Sequence, residues 1–221
     1  MRNKKRTFET FVDDLAQTKT PVNVHNQYSY DLKENVIRRQ NLLHYLYQME
    51  KLAPKLLLVA EAPGYRGSRL TGVPFTSEYL LMHHPFFGAE RGYELVKQEG
   101  SLLKEATATI IRNVLAEYQL CAMGWNALPF HPHQTEQAKT NRTPTKKELL
   151  LGEQPLLDLL ELFPIERVVA VGNKAADSLD KLGIDYYKVR HPAQGGKNQF
   201  VEGMLELNQI LIQNNRGGGH Q

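Results

Sequence analysis

The sequence has few of the cysteines and long apolar runs that form disulfides, metal clusters and membrane spans. Its 221 residues include a single cysteine, Cys121, which excludes an internal disulfide and any zinc or iron–sulfur site held by several thiolates. The apolar runs are far shorter than a membrane span, and the N-terminal residues MRNKKRTFET have no apolar segment behind their charges, as a secretory signal would. We therefore expect a cytoplasmic protein that contacts no membrane and binds no metal.

An excess of charge of one sign is also nearly absent. The 27 Lys and Arg residues against 24 Asp and Glu residues leave a net charge of +3, which is too small to identify a nucleic-acid-binding protein without knowing where the charges lie. Hydrophobic residues at 41% and charged residues at 23% are ordinary for a soluble fold. Since no break in composition divides the chain, we predict one domain over 1–221, monomeric, with loose tails at about 1–7 and 214–221.

Short apolar segments alternate with helical patterns along the chain. The predicted strands are 56–60, 120–125, 167–172 and 185–190, and the predicted helices are 32–52, 101–118, 146–162 and 174–182. Strands that alternate with helices are typical of a mostly parallel sheet with helices on both faces. The sequence therefore predicts an α/β fold.

A polar or glycine-rich loop follows each predicted strand. The loops read EAPGYRG, NALPFHPH, GNKAA and HPAQGGK in chain order. Because the carboxyl ends of parallel strands meet at one edge of an open sheet, we expect these loops to line a common ligand crevice. Turn geometry alone is a sufficient explanation for Gly172 and Asn173, but a weaker one for Glu61, Asn126 and His191, which carry reactive or hydrogen-bonding groups.

The first loop does not match the common phosphate-binding motifs. The segment GSRLTGVP has the glycine spacing of a Walker loop, but Val73 and Pro74 stand where lysine and serine or threonine are required. The segment GYRG lacks the glycine pattern of a dinucleotide fold. The loop therefore serves something other than a pyrophosphate.

Taken in order, the motifs resemble those of the uracil-DNA glycosylase superfamily. The resemblance is carried by VAEAPGYRG with GVPF, WNALPFHPH, NRTPTKKELLLGEQPLL, VVAVGNKAADSL and VRHPA, between about Leu56 and Ala193. It implies a three-layer α/β/α sandwich around a four-stranded, mostly parallel sheet. It also implies base excision, in which the N-glycosidic bond of uracil or a related deaminated base in DNA is hydrolysed.

The resemblance is closest to the branch called family four, whose members hold an iron–sulfur cluster. Two of the positions that carry cluster cysteines in that branch hold Phe130 and Gly152 here. We therefore expect apolar packing around Phe130 in place of the cluster, and an enzyme without a cofactor.

The resemblance assigns catalysis to Glu61 and His191. Glu61 would position the attacking water, as glutamate followed by a small residue is usual in family four, and an ion pair with Arg66 or Arg69 is the alternative role. His191, in HPA, would face the base O2 and stabilise the anion that leaves. Packing against Pro192 is its alternative role.

Five further residues match base-binding positions: Ala62, Gly64, Tyr65, Phe75 and Asn126. Phe75 resembles the aromatic residue that stacks on the extruded base, although a core phenylalanine fits equally well. Asn126 resembles the amide that reads the uracil edge, with a turn asparagine as the alternative. The position of Ala62 corresponds to the water-positioning acid of the best-studied branch. The position of Gly64 corresponds to a tyrosine that excludes the thymine methyl group in that branch, and Tyr65 could take this role here.

Basic and loop residues are predicted to contact the DNA backbone: Arg66, Arg69, Arg142, Lys146, Gln194, Gly195 and Lys197. The loop QGGK resembles the one that probes the minor groove, but it lacks the bulky apolar side chain often found there. Single-stranded or mismatched uracil-containing DNA is therefore the expected partner.

Two other functions fit parts of this pattern. A catalytically silent protein that binds damaged or single-stranded nucleic acid would keep the pocket, but it would not need the Glu61 carboxylate. A nucleotide- or nucleoside-processing enzyme would use the same crevice without DNA, and the basic residues around the site count against it.

Overall fold

A parallel sheet of four strands in the order β3-β2-β5-β6 organises the fold. The computed structural model describes residues 6–96 and 100–217. The strands of this sheet are β2 (Leu56–Ala60), β3 (Ala122–Asn126), β5 (Arg167–Val171) and β6 (Tyr186–Val189), and a separate antiparallel ribbon pairs β1 (Val24–His25) with β4 (His131–Pro132). The helices are α1 (Phe8–Gln17), α2 (Asn35–Leu52), α3 (Ser68–Thr71), α4 (Glu78–His83), α5 (Ala106–Glu117), α6 (Lys146–Leu162), α7 (Asn173–Lys181) and α8 (Lys197–Gly217), with a 3-10 turn at Ala89–Arg91.

Side-chain alternation along the strands creates two cores, one on each face of the sheet. In β2 every residue is buried, because Leu57 and Val59 point into one core while Leu58 and Ala60 point into the other. The first core receives residues from α1, α2, α6 and α7, and the second receives residues from α5 and α8. This arrangement confirms the predicted α/β/α sandwich around a four-stranded parallel sheet.

Helix boundaries follow local capping. Helix α6 has the predicted bounds, since Thr145 and Glu148 form a capping box at its first turn. Helix α5 begins five residues later than predicted, at Ala106, because the Glu105 carboxylate accepts hydrogen bonds from the first amides of the helix. Helices α1, α3, α4 and α8 and the β1–β4 ribbon were not predicted.

The predicted tails lie partly outside the described residues, namely at 1–5 and 218–221. Within the described part, Thr7 caps α1, and Arg6 forms ion pairs with Asp14 and Asp158 at 2.7 Å each. Among residues 6–96 and 100–217, no helix is both long enough and apolar enough to cross a membrane.

Candidate active site

The loops at the carboxyl edge of the sheet are joined to one another by backbone hydrogen bonds. After β3, the Ala127 amide donates to the Ala60 carbonyl at 2.7 Å and the Leu128 amide donates to the Glu61 carbonyl at 3.0 Å. After β5, the Gly172 amide donates to the Val189 carbonyl at 2.9 Å. These bonds join the segments after β2 and β3 on one side and the ends of β5 and β6 on the other, at the sheet edge where the crevice is predicted.

Glu61 directly follows β2 and is half-buried at this edge. Its Oε1 atom is buried and has no hydrogen-bond partner among the described residues. Burial raises the pKa of the Glu61 carboxyl, while the charge of Lys174 and the hydroxyl of Thr143 act in the opposite direction. Lys174 lies in the first turn of α7. Within residues 6–96 and 100–217, Glu61 forms no ion pair with Arg66 or Arg69.

His191 follows β6 and is held in one orientation by its own loop. The Ala193 amide donates to His191 Nδ1 at 3.1 Å, so the neutral imidazole carries its proton on Nε2. Burial and then the charge of Arg190 lower the pKa of His191, which favours this neutral form near pH 7. The site therefore offers an uncharged N–H donor, which is suited to an oxygen that becomes negative during a reaction.

Asn126 is the last residue of β3 and lies in the strand, not in a turn. Only 4% of the residue is exposed, and its side-chain amide makes no hydrogen bond to another described residue. The amide atoms are not among the buried polar atoms that lack a partner, so they keep contact with solvent at the sheet edge. The amide is therefore available to a ligand that presents one donor and one acceptor.

Phe75 lies against the same part of β3. Its ring covers Gly124, where an added Cβ atom would come within 2.4 Å of Phe75 Cδ2. Gly124 and Asn126 project to the same face of the strand because side chains alternate. Phe75 is buried in the second core, which agrees with the interpretation as a core phenylalanine, while stacking on an extruded base stays a prediction. Sequence reasoning missed Gly124, although a glycine inside a strand often marks a close approach.

The loop carrying Phe75 is held in an uncommon conformation. Phe75 has a φ of 51°, which is rare for a bulky residue. The Arg112 guanidinium donates from Nε to the Phe75 carbonyl at 3.1 Å and from Nη2 to the Pro74 carbonyl at 3.0 Å. Arg112 is buried in α5, so these bonds fix the ring against the sheet.

The remaining base-binding candidates lie in the loop after β2. Ala62 packs against the first core. Gly64 has room for a side chain, because an added Cβ atom would meet only Asn141 and Glu105 atoms at 3.8 Å or more. The Tyr65 amide donates to Asn141 Oδ1 at 2.9 Å, and the Arg66 guanidinium lies over the Tyr65 ring at 5.2 Å.

Most of the residues predicted to contact DNA are at the surface. Those that are exposed are Arg66, Lys146, Gln194, Gly195 and Lys197. Gln194 and Gly195 both adopt positive φ, at 52° and 76°, in the turn that leads from His191 to α8. An added Cβ atom at Gly196 would lie 2.1 Å from the His191 carbonyl oxygen, so this turn packs tightly onto the catalytic candidate.

Arg142 does not fit the role that the sequence predicts. All five of its N–H groups bond within the protein: two reach the Glu148 carboxylate at 2.7 and 2.8 Å, and carbonyls of Asn23, Thr143 and His133 accept at 3.1, 3.1 and 2.9 Å. Since no N–H remains for a phosphate, the structure assigns Arg142 to the scaffold. The partner that sequence reasoning missed is Glu148, the last residue of the T-x-x-E capping box.

The positions expected to replace a cluster are both closely packed. Phe130 is fully buried in the first core. At Gly152 an added Cβ atom would lie 1.7 Å from the Ala127 carbonyl oxygen, so even a cysteine would displace helix α6. These residues do not fit an iron–sulfur cluster, and within the described part of the chain no group of three or more His, Cys, Asp or Glu side chains is arranged to hold a metal ion.

Comparisons with known proteins agree with this geometry. The family model described as the uracil DNA glycosylase superfamily matches residues 47–211, which is more than half of the chain. Among solved structures, the crystal structure of wild-type Pedobacter heparinus SMUG2 is similar, with a TM-score of 0.64 and 16% identity over 93% of this chain and 98% of that chain. At 16% identity, this structural similarity shows that the two proteins share a fold. No curated protein matches the chain.

Proposed function

The chain belongs to the uracil DNA glycosylase superfamily, and from that premise we propose that it hydrolyses the N-glycosidic bond of uracil or a related deaminated base in DNA. The observation that carries the proposal is the grouping at one sheet edge of an amide without a hydrogen-bond partner among the described residues, a half-buried carboxylate and a neutral imidazole. These are Asn126, the last residue of β3, with Glu61 and His191 from the loops after β2 and β6.

Base recognition is proposed to use Asn126 and Phe75. A base inside a duplex must be extruded before its bond to the sugar can be attacked, at a cost of a few kcal/mol. The Asn126 amide would accept from N3–H and donate to O4 of uracil with one side chain. Phe75, fixed over Gly124, would provide the apolar surface for the base.

Bond cleavage is proposed to use His191 and Glu61. As the N-glycosidic bond breaks, its electron pair passes to the base and the sugar becomes an oxocarbenium ion. The Nε2–H of His191 would donate to O2 of the departing base, where negative charge develops. The Glu61 carboxylate would orient a water toward C1′ of the sugar and stabilise the positive charge there. Burial raises the pKa of Glu61, and the charge of Lys174 opposes that rise and so favours the ionised form that this role requires.

The absence of a cofactor and the preferred DNA substrate are proposed from the residues around the site. We propose a monomeric, cofactor-free enzyme related to family four, with the packed positions Phe130 and Gly152 in place of cluster ligands. The exposed turn at Gln194 and Gly195 contains no bulky apolar side chain to replace an extruded base. This supports single-stranded or mismatched DNA as the substrate, with Arg66, Lys146 and Lys197 contacting the backbone.

The test is incubation of the protein with oligonucleotides that carry uracil, hypoxanthine, xanthine or a thymine mispair, followed by alkaline cleavage at abasic sites. We expect cleavage at uracil, and greater cleavage in single strands than in fully paired duplexes. Binding without cleavage of any of these oligonucleotides would instead identify a catalytically silent DNA-binding protein.

A further inference from the structure

Two contacts fix the first half of the loop that carries Glu61. We define the catalytic loop as residues 61–67, between β2 and α3. The Leu128 amide donates to the Glu61 carbonyl at 3.0 Å. The fully buried His131 ring donates from Nδ1 to the Pro63 carbonyl at 2.7 Å, because a carbonyl can only accept. Both partners belong to the segment that follows β3, so this segment holds the loop where it leaves the sheet.

A third contact holds the second half of the catalytic loop. The Tyr65 amide donates to Asn141 Oδ1 at 2.9 Å, and α3, which contains the half-buried Arg69, begins directly after the loop. The loop is thus held at alternate residues, namely Glu61, Pro63 and Tyr65. The first two contacts come from buried partners, whereas the third comes from the side chain of an exposed residue.

Arg142 fixes Asn141 from the side of the scaffold. The Arg142 amide donates to the Pro132 carbonyl at 3.4 Å. Its guanidinium donates to the Glu148 carboxylate and to three backbone carbonyls, one of which is that of Thr143 at 3.1 Å. Since Arg142 is bonded through both its backbone and its side chain, the residue before it has a defined position. Asn141 is therefore an exposed residue on a rigid support.

The same segment also reaches the Glu61 carboxyl. Burial raises the pKa of this carboxyl, and the charge of Lys174 and a hydrogen bond from the Thr143 hydroxyl oppose that rise. Thr143 lies two residues after Asn141. The segment 141–143 thus contacts the catalytic loop at two places, the Tyr65 amide and the Glu61 side chain.

We propose that Asn141 is a positioning residue, which fixes the far end of the catalytic loop through the Tyr65 amide and so sets the direction of the Glu61 carboxylate. The inference rests on the proposed function, in which this carboxylate orients the attacking water. A displacement of about 1 Å can lower a catalytic rate about a hundredfold. Because the contacts from Leu128 and His131 remain, we expect loss of the Asn141 contact to have a smaller effect, about tenfold.

Two substitutions of the one side chain separate positioning from direct contact with DNA. Asn141→Ala removes the acceptor, whereas Asn141→Asp keeps an oxygen that can accept from the Tyr65 amide and removes the Nδ2 donor. The control is Thr140→Ala. Thr140 Oγ1 accepts from the Gln134 amide at 3.0 Å and donates to the Gln137 carbonyl at 2.7 Å, so its side-chain bonds stay within its own loop.

The first measurement is hydrogen exchange of the Tyr65 amide in the protein without DNA. We expect exchange in Asn141→Ala to be about tenfold faster than in wild type, because the amide loses its partner. Asn141→Asp and Thr140→Ala should exchange at the wild-type rate. Equal exchange in wild type and Asn141→Ala would overturn the claim that Asn141 holds the loop.

The second measurement is single-turnover release of uracil from a single-stranded oligonucleotide at saturating protein, with binding measured separately. We expect Asn141→Ala to lower the rate about tenfold and to leave affinity unchanged. Asn141→Asp should keep the wild-type rate, although its negative charge weakens DNA binding. An unchanged rate in Asn141→Ala would overturn the positioning role. A rate lost equally in both variants would also overturn it, since Nδ2 would then be the group that matters.

Failure of this inference and failure of the proposed function give different results. An active wild type with an equally active Asn141→Ala disproves the positioning role alone. A wild type that releases no base disproves the glycosylase and the catalytic part of the inference, while hydrogen exchange still decides whether Asn141 holds the loop. If Asn141→Ala does not fold, Asn141→Leu replaces it, because leucine keeps the side-chain volume and lacks the acceptor.

Discussion

The ring of Phe75 lies directly over Gly124, so closely that an added Cβ atom would be 2.4 Å from Phe75 Cδ2. The glycine is therefore what lets the ring approach β3, and Asn126 stands two residues further along the same face of that strand. One strand thus sets the distance between the proposed base-reading amide and the apolar wall of its pocket. The Arg112 guanidinium fixes the loop that carries Phe75, because it donates hydrogen bonds to the Phe75 and Pro74 carbonyls.

Gly124→Ala should displace the Phe75 ring and impair the pocket. Overpacking a buried site costs about 1–3 kcal/mol, and we expect base release to fall at least tenfold because ring and amide lose their alignment. The control is Gly64→Ala, where the new methyl group meets only ordinary contacts at 3.8 Å or more. Single-turnover cleavage and thermal melting of both variants check this prediction, and equal activity in the two would refute it.

Base release should decline on the acidic side of neutrality. The proposed mechanism needs an ionised Glu61 and a neutral His191, and both requirements fail as protons are added. Burial raises the pKa of Glu61 above its ordinary 4.5, and burial lowers the pKa of His191 below its ordinary 6.5. We therefore expect the single-turnover rate to fall as the pH is lowered, with loss of the Glu61 charge setting in at a higher pH than for an ordinary carboxyl group. A rate that stays constant as the pH is lowered until the protein unfolds would contradict both roles.

Arg142→Ala should destabilise the fold without changing how salt affects DNA binding. The substitution leaves the Glu148 carboxylate buried without its partner, which costs about 3 kcal/mol. By contrast, Lys197→Ala should leave stability unchanged and reduce the slope of log affinity against log salt by about one. Denaturant unfolding and binding titrations at several salt concentrations distinguish the two residues.

The Arg142 effect should depend on pH in a defined direction. The hydrogen bond and charge from Arg142 hold the pKa of Glu148 below its ordinary 4.5. A carboxyl whose pKa is lowered by folding stabilises the protein above the unfolded pKa, and that contribution is lost as the pH falls through the folded pKa. The stability difference between wild type and Arg142→Ala should therefore narrow below pH 4.5. A constant difference would show that the pair contributes through packing alone.

The framework of the site could be predicted because its signals are local. The continuous apolar run of β2 is typical of a strand covered on both faces, and the helical pattern of residues 146–162 predicted α6 with its observed bounds. The convergence of Glu61, Asn126 and His191 then followed from the rule that parallel strands end at one edge.

The features that were missed depend on contacts between distant segments. The two-residue strands of the β1–β4 ribbon have no periodic pattern, so nothing in the sequence placed His25 beside His131. The sequence alone suggests that Arg142 is an exposed cation, because it does not show that the Asn23 and His133 carbonyls accept hydrogen bonds from its guanidinium. Helix α8 had a detectable signal in the spacing of Phe200, Met204 and Leu207, but its first turn was interpreted only as part of a loop.

The packing at Gly152 predicts the absence of an iron–sulfur cluster in the purified protein. The position is closed to any side chain by the Ala127 carbonyl oxygen at 1.7 Å from an added Cβ, and the sequence has one cysteine. We expect a colourless protein without stoichiometric iron, and a strong loss of stability in Gly152→Ala. Visible absorbance bands of sulfur-to-iron charge transfer, with at least one iron per chain, would contradict this prediction.

The central claim is tested most directly by single-turnover release of uracil from a single-stranded oligonucleotide, measured for wild type, Glu61→Gln, His191→Ala and Asn126→Ala. Glu61→Gln should be at least as stable as wild type at neutral pH, because burial disfavours the carboxylate that it removes, so lost activity cannot be ascribed to unfolding. The account predicts release by wild type, a loss of about a hundredfold or more in Glu61→Gln and His191→Ala with little change in DNA affinity, and weakened lesion binding in Asn126→Ala. No base release by wild type would contradict it.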